Sequence, residues 1–376
     1  MSVGELRVAV ASAALLGESP FWHPRERALY YCDIPGKRLY RFDPAGGALT
    51  HWEFDTEPGS CAPCLDGTLL LAMRDGLFRF DPATGQRERL AEAPYDPASE
   101  RFNDGKCDPQ GRFWVGTIYE PRDAAKATLH CFAGGKLVQR AGGATVANGL
   151  AWSPNGRTMY WTDTKAHTIY AFDFEPATGE IGGQRVFARF PLKQDGQPLE
   201  RYGGRPDGAA VDAEGCYWVA MFEGQRLLRL SPAGELLREV KLPVRCATMP
   251  CFGGADLKTI YLTTAREKRP AAELAAQPWA GCVLAFDVDV PGLPRFHGGA
   301  VGYLGYEAVR HFEPRVPAPD HDMLGVPESW LQFTDTVLVF DHLQHKIKVV
   351  ANVRLEGDVA ANYAEAERKI DELVAR

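Results

Sequence analysis

Short apolar runs led by tight polar turns recur along the chain. Ala28-Leu29-Tyr30-Tyr31-Cys32 follows a turn opened by His23-Pro24, and Leu69-Leu70-Leu71-Ala72 follows Asp66-Gly67. Further copies open at Asp108-Pro109, Ser153-Pro154, Asp212-Ala213 and Gly254-Ala255, so successive turns lie 43, 42, 45, 59 and 42 residues apart. The one long step accommodates an insertion around residues 187–204. After each phrase comes a second hairpin of alternating apolar and polar residues, as in Leu39-Tyr40-Arg41-Phe42, Leu77-Phe78-Arg79-Phe80 and Val283-Leu284-Ala285-Phe286. Such alternation predicts half-buried antiparallel sheet.

Four strands repeating every forty-odd residues are the signature of a β-propeller blade. Six copies predict an all-β chain built as a six-bladed propeller. A run at residues 6–13 lies ahead of the first phrase and is placed to supply a missing strand to the last blade. Without such a repeat, 376 residues would be read as two domains. The 38 glycines and 27 prolines fit many turns and short strands.

Charge removes some partners. A net charge of −7 and the lack of a basic run give no electrostatic reason to bind nucleic acid or an anionic membrane. No apolar run is long enough for a spanning helix, and the short one at residues 8–16 reads as a strand, not a signal peptide. The nine cysteines are scattered except for Cys61-Ala62-Pro63-Cys64, which has no second pair at zinc-ligand spacing. Free thiols in a reducing cytoplasm are the expectation.

Polar side chains also sit at one register position. Gly17-Glu18-Ser19-Pro20, Arg101-Phe102-Asn103-Asp104-Gly105, Ala147-Asn148-Gly149-Leu150 and Arg205-Pro206-Asp207-Gly208 each come just before, or open, an inner strand. Any one of them, taken alone, reads as a turn. Their shared register directs them to the central channel. Two carboxylates and an amide oxygen there form an all-oxygen set, suited to a hard cation such as Ca2+, Mg2+ or Mn2+. No histidine falls in these positions, which argues against a standard zinc site.

From Glu18 to about Phe296 the chain resembles the senescence-marker-protein/gluconolactonase/regucalcin family of six-bladed propeller lactonases. The resemblance rests on Gly17-Glu18-Ser19-Pro20, Arg101-Phe102-Asn103-Asp104-Gly105-Lys106, Asn148-Gly149-Leu150-Ala151-Trp152-Ser153, Pro206-Asp207-Gly208 and Cys251-Phe252-Gly253-Gly254. It implies Glu18, Asn148 and Asp207 as metal ligands, Arg101 and Asn103 as holders of substrate oxygens, and Glu120 as a partner of sugar hydroxyls. It further implies one divalent cation (Ca2+, Mg2+, Mn2+, Zn2+ or Fe2+) polarising a lactone carbonyl, with Asp207 also taking a proton from the attacking water. The expected reaction is hydrolysis of an aldonolactone to its sugar acid. Two rivals stand beside it: a related propeller hydrolase of esters or organophosphates, and a non-catalytic calcium-binding propeller.

The repeat stops near Phe296. A Gly/aromatic segment at residues 298–310 and a Pro-rich stretch at 314–319 follow. Then come a hairpin pattern at 335–350 and a helix pattern at 359–374, rich in Ala, Glu and Lys. The expected division is therefore a propeller at 1–296 and a short α+β appendage at 297–376. The appendage resembles part of the N-terminal region of anthranilate synthase component I, in its Gly-Gly-x-Val-Gly-Tyr and Val-Phe-Asp-His phrases. The chorismate-binding domain of that family is absent, so no activity is implied. Self-association through this segment is one expectation for it.

Overall fold

The computed structural model describes residues 3–11 and 13–293. Beyond them it describes the strands Gly299–Leu304, Ser329–Thr334, Thr336–Asp341 and Lys346–Ala351, and the helix Val359–Val374. Two compact units result, Met1–Leu293 and Pro294–Arg376. The first contains six four-stranded antiparallel sheets, each running outward from an inner strand. The inner strands of blades one to six are Gly17–His23, Pro58–Pro63, Glu100–Cys107, Ala147–Trp152, Arg205–Val211 and Ala247–Gly253. The ring is a six-bladed propeller.

Closure follows the sequence expectation in a shortened form. Arg7–Val10 pairs antiparallel with Val283–Asp287 and becomes the outer strand of blade six, so the N-terminus completes the last blade. The bidentate pair of Arg7 with Asp287 at 3.2 Å ties the same junction. The insertion is also shorter than the sequence implied. Residues 187–189 continue the outer strand Glu180–Arg189 of blade four, and the irregular segment begins only at residue 190.

Six apolar clusters hold the ring, one at each interface between neighbouring blades. Tyr30, Cys32 and Leu39 of blade one meet Cys61, Leu69 and Leu71 of blade two. Leu29, Tyr31 and Tyr40 turn the other way, to Cys251, Tyr261 and Ala285 of blade six. The period-two alternation thus serves two interfaces from one strand, which is why the second strands are buried on both faces. Burying a Leu, Phe or Met at such an interface contributes about 1.5–3 kcal/mol each.

The turn phrases carry a second device. In blade three, Asp108 accepts a hydrogen bond from the Trp114 indole at 3.0 Å and pairs with Arg112 at 2.6 Å. In blade five, Asp212 accepts from Trp218 at 2.9 Å and from Arg229 at 2.8 Å. An Asp six residues ahead of a Trp therefore locks the turn onto the strand it feeds, and satisfies a buried indole N–H.

His130 gives the fold a pH dependence. It lies in the third strand of blade three, 4 % exposed, and burial pushes its imidazole down to about 4. The folded chain holds it neutral, whereas the unfolded chain protonates it near 6.5. Its stabilising effect is therefore complete above pH 6.5 and is lost as pH falls through about 4. Between pH 7 and 4.5 this accounts for about 2–3 kcal/mol. Denaturant titrations at those two pH values should show that much less pH dependence in His130→Leu. An unchanged dependence would assign acid sensitivity elsewhere.

In the C-terminal unit, Gly299–Leu304 pairs with Ser329–Thr334, and Thr336–Asp341 pairs with Lys346–Ala351, both antiparallel. The hairpin and helix read from the sequence are thus present. The side chains of the phrases resembling anthranilate synthase lie outside the described residues.

Candidate functional site

Every inner strand breaks register with its neighbour at the same place. The irregularity falls between Glu18 and Phe21, Pro58 and Ser60, Phe102 and Gly105, Asn148 and Ala151, Pro206 and Ala209, and Ala247 and Pro250. A bulge re-aims side chains locally. Here it acts in all six blades: Glu18 and Asn148 are the last paired residues before the break, and Gly59, Asn103, Asp207 and Thr248 are the first residues within it. In blade two a side chain would not fit: a Cβ on Gly59 would lie 2.4 Å from the Phe102 carbonyl oxygen. In blade six the Thr248 hydroxyl donates to the Gly17 carbonyl at 2.6 Å and joins the last blade to the first.

Three of these side chains and Arg101 form one hydrogen-bonded chain across blades three, four and five. Arg101 Nη1 donates to Asn103 Oδ1 at 2.8 Å, Asn103 Nδ2 to Asn148 Oδ1 at 2.8 Å, and Asn148 Nδ2 to Asp207 Oδ1 at 2.5 Å. Asn103 Nδ2 also meets the Ala147 carbonyl at 2.9 Å, and Asn148 Nδ2 the Thr164 hydroxyl at 2.8 Å. These contacts fix both amides, and Asn148 Oδ1 keeps a free lone pair. All four residues are buried.

Glu18 completes the set from blade one. Ser19, in the left-handed region at φ 47°, donates its backbone N–H to Glu18 Oε2 at 3.0 Å and its hydroxyl to the Gly59 carbonyl at 3.1 Å. That conformation costs a non-glycine residue about 1–2 kcal/mol. Gly149, at φ 64°, is the matching residue of blade four.

The electrostatics are those of crowded acid. Burial holds Glu18 well above the usual carboxylate range, and the charges of Asp207 and Asp104 add to it. Asp207 is pushed up to about 8 by burial, with Arg205 and Arg122 pulling it down and Asp104 pushing it further up. Asp104 is itself raised by burial. Its Oδ2 accepts the Leu150 N–H at 2.9 Å, while its buried Oδ1 has no protein partner. Lys106 lowers Asp104, Arg101 lowers Glu18, and Arg205 and Arg122 lower Asp207, yet all three buried carboxyls stay raised, which leaves a demand for a cation. The donor set is two carboxylates and an amide oxygen, and it fits a hard divalent ion. Among the described residues no three His, Cys, Asp or Glu side chains form a metal cluster.

Glu120 stands apart at the rim, with its side chain 39 % exposed and 3.6 Å from Arg101. Arg74 holds it: the guanidinium binds Glu120 at 3.0 and 3.1 Å and Glu57 at 2.8 and 3.1 Å. Sequence reasoning missed Arg74, Glu57, Thr164 and Ser60, the last with a buried, unpartnered hydroxyl. Asp104 lies inside the Arg101–Gly105 stretch, where the sequence alone gives it no separate role.

Comparison with known proteins agrees with this architecture. The family model described as SMP-30/Gluconolactonase/LRE-like region matches residues 16–266. The chain is 42 % identical over 305 residues to a 6-deoxy-6-sulfogluconolactonase of Pseudomonas putida, covering 78 % of this chain and 99 % of that protein. It is 32 % identical over 294 residues to regucalcin of Gallus gallus, covering 75 % and 94 %. A solved calcium-binding protein, regucalcin, from Agrobacterium tumefaciens superposes with a TM-score of 0.72 at 28 % identity, covering 77 % of this chain and 95 % of that one. The chain belongs to the SMP-30/gluconolactonase/LRE-like family.

Proposed function

We propose that this protein hydrolyses a sugar lactone to its aldonic acid with the help of one divalent cation. The observation that carries the reading is the hydrogen-bonded chain from Arg101 to Asp207, which ends at a buried carboxylate beside Glu18. Glu18, Asn148 and Asp207 are the residues that would hold the cation. When bound, it supplies Lewis-acid polarisation of the lactone carbonyl. Asp207 takes the proton of the water whose oxygen adds to the carbonyl carbon. The ring C–O bond then breaks, and the ring oxygen takes the proton held by Asp207 and leaves as the hydroxyl of the acid. Arg101 and Asn103 orient the sugar oxygens, and the same guanidinium offsets charge on Glu18.

The buried Arg101 and Asn103 and the rim carboxylate of Glu120 favour a polyol over an apolar ester. The sulfonated lactone named for the Pseudomonas relative is of the same class. Catalysis is assigned to the propeller, residues 1–296. The segment 297–376, with its resemblance to anthranilate synthase, is given no catalytic part, and self-association is the role proposed for it. Among the described residues no helix is long and apolar enough to cross a membrane. With nine free cysteines, a reducing cytoplasm is the proposed location.

The test is pH-stat hydrolysis of glucono-, xylono-, arabinono- and galactonolactone, with a chelator and with cation added back. Metal binding without turnover would favour a calcium-binding propeller instead.

Arg74→Met checks the rim. Losing the guanidinium frees Glu120 from its two-point anchor, which should raise KM for the lactone about tenfold while kcat stays within threefold. A fall in kcat at constant KM would place Glu120 with the reacting groups.

A further inference from the structure

The end of the channel that carries the site is rich in arginine. Arg74 is shared by Glu57 and Glu120, and Arg205 pairs with Glu223 at 2.9 Å. Arg245 lies 3.2 Å from Glu200, and Arg269 sits 2.8 Å from both Glu223 and Glu273. Arg122 differs from these. The structure gives its guanidinium no ion pair and no hydrogen bond among the described residues, and the residue is exposed. It follows Glu120 by two positions in the turn between the second and third strands of blade three.

That turn is fixed. The Glu120 N–H meets the Ser99 carbonyl at 2.9 Å, and the Arg122 N–H meets the Tyr119 carbonyl at 3.1 Å. Arg122 is also held at φ 58°, in the left-handed region, which costs a residue with a Cβ about 1–2 kcal/mol. The cost is accepted at a position where the side chain gains no protein partner. Arg122 lies two residues from Glu120, whose carboxylate is 3.6 Å from Arg101 of the site, and its charge lowers the pKa of Asp207. A guanidinium with five donors, unpaired at the lip of a substrate channel, suits a sulfonate, phosphate or carboxylate.

We propose that Arg122 is a specificity residue that receives an anionic group carried by the lactone away from its ring carbonyl. This inference rests on the lactonase reading. Glu120 would take hydroxyls and Arg122 the charge, from a single turn.

The experiment compares kcat/KM for gluconolactones bearing a hydroxyl, a sulfonate or a phosphate at C6. It uses the full chain, loaded with cation, as wild type, Arg122→Gln and Arg122→Lys. The wild type should prefer at least one of the two charged lactones by tenfold or more, and added salt should shrink that preference. Arg122→Gln should cut the charged-to-neutral ratio about tenfold, chiefly through KM, and Arg122→Lys should keep part of it. Sulfonate and phosphate arms distinguish the source of the charge. An unchanged ratio in Arg122→Gln, or a wild type that favours the neutral lactone, overturns the proposal while leaving the lactonase reading intact. No turnover of any lactone by the wild type overturns both.

Discussion

Asp207→Asn is expected to lower kcat/KM for lactone hydrolysis by about 10^3, within the 10^2–10^4 usual for a positioned general base. The substitution keeps size and shape. An amide oxygen can still accept the 2.5 Å hydrogen bond from Asn148, so the chain from Arg101 survives. What disappears is a group able to take a proton, together with one of the two anionic donors to the cation. The same change should leave the cation-free protein as stable as the wild type, or more so. Asp207 is buried beside Glu18 and Asp104, and its charged form is disfavoured there. Removing the charge removes that penalty. A large loss of rate without loss of melting temperature is therefore the expected pair of results. A rate within tenfold of wild type would exclude Asp207 as the base.

Asp207 is legible in the sequence as a candidate because the fold does not require an acid at that position. Turn phrases, alternating strands and a steady repeat all serve the fold, and they predict six blades without reference to chemistry. Acids, amides and an arginine gathered within three residues of the inner-strand bulges serve no packing purpose. They stood out as a surplus against the repeat. The Asp–Trp lock of Asp108 with Trp114 and Asp212 with Trp218 belongs to the legible part too, because both ends lie within one phrase.

The remainder arises from contacts between blades. Arg74 comes from blade two and reaches Glu120 of blade three, 46 residues away. Thr164 meets Asn148 only because its loop folds back over the inner strand of blade four. Asp104 is next to Asn103 in sequence, yet the bulge sends one amide into the relay and one carboxyl to the Leu150 N–H. No periodicity states which of two adjacent polar residues a bulge will turn inward. The shortened insertion has a similar origin: Val186 and Ala188 pair with Tyr170 and Ile169, a register visible only once the neighbouring strand is known.

Cation removal is the second large effect expected. Chelation should lower the hydrolysis rate by 10^2 or more, since the Lewis-acid contribution amounts to several kcal/mol, and Ca2+, Mg2+ or Mn2+ added back should restore it. A readout independent of activity follows from the buried acids. An ion present at about 100 times its dissociation constant stabilises the folded chain by about 2.7 kcal/mol, which raises the melting temperature by about 4 °C. The difference must depend on pH in a definite direction. Without the cation, Asp207 is raised from 3.8 to about 8, so the folded chain holds a proton that the unfolded chain has released. Stability of the cation-free protein therefore falls as pH climbs through that window. The cation binds the ionised form, so its affinity rises over the same range. Melting curves with and without cation should consequently diverge from pH 5 to pH 8, and Asp207→Asn should flatten the divergence. Parallel curves in the wild type would mean that the ion, if it binds, is held by groups other than Glu18 and Asp207.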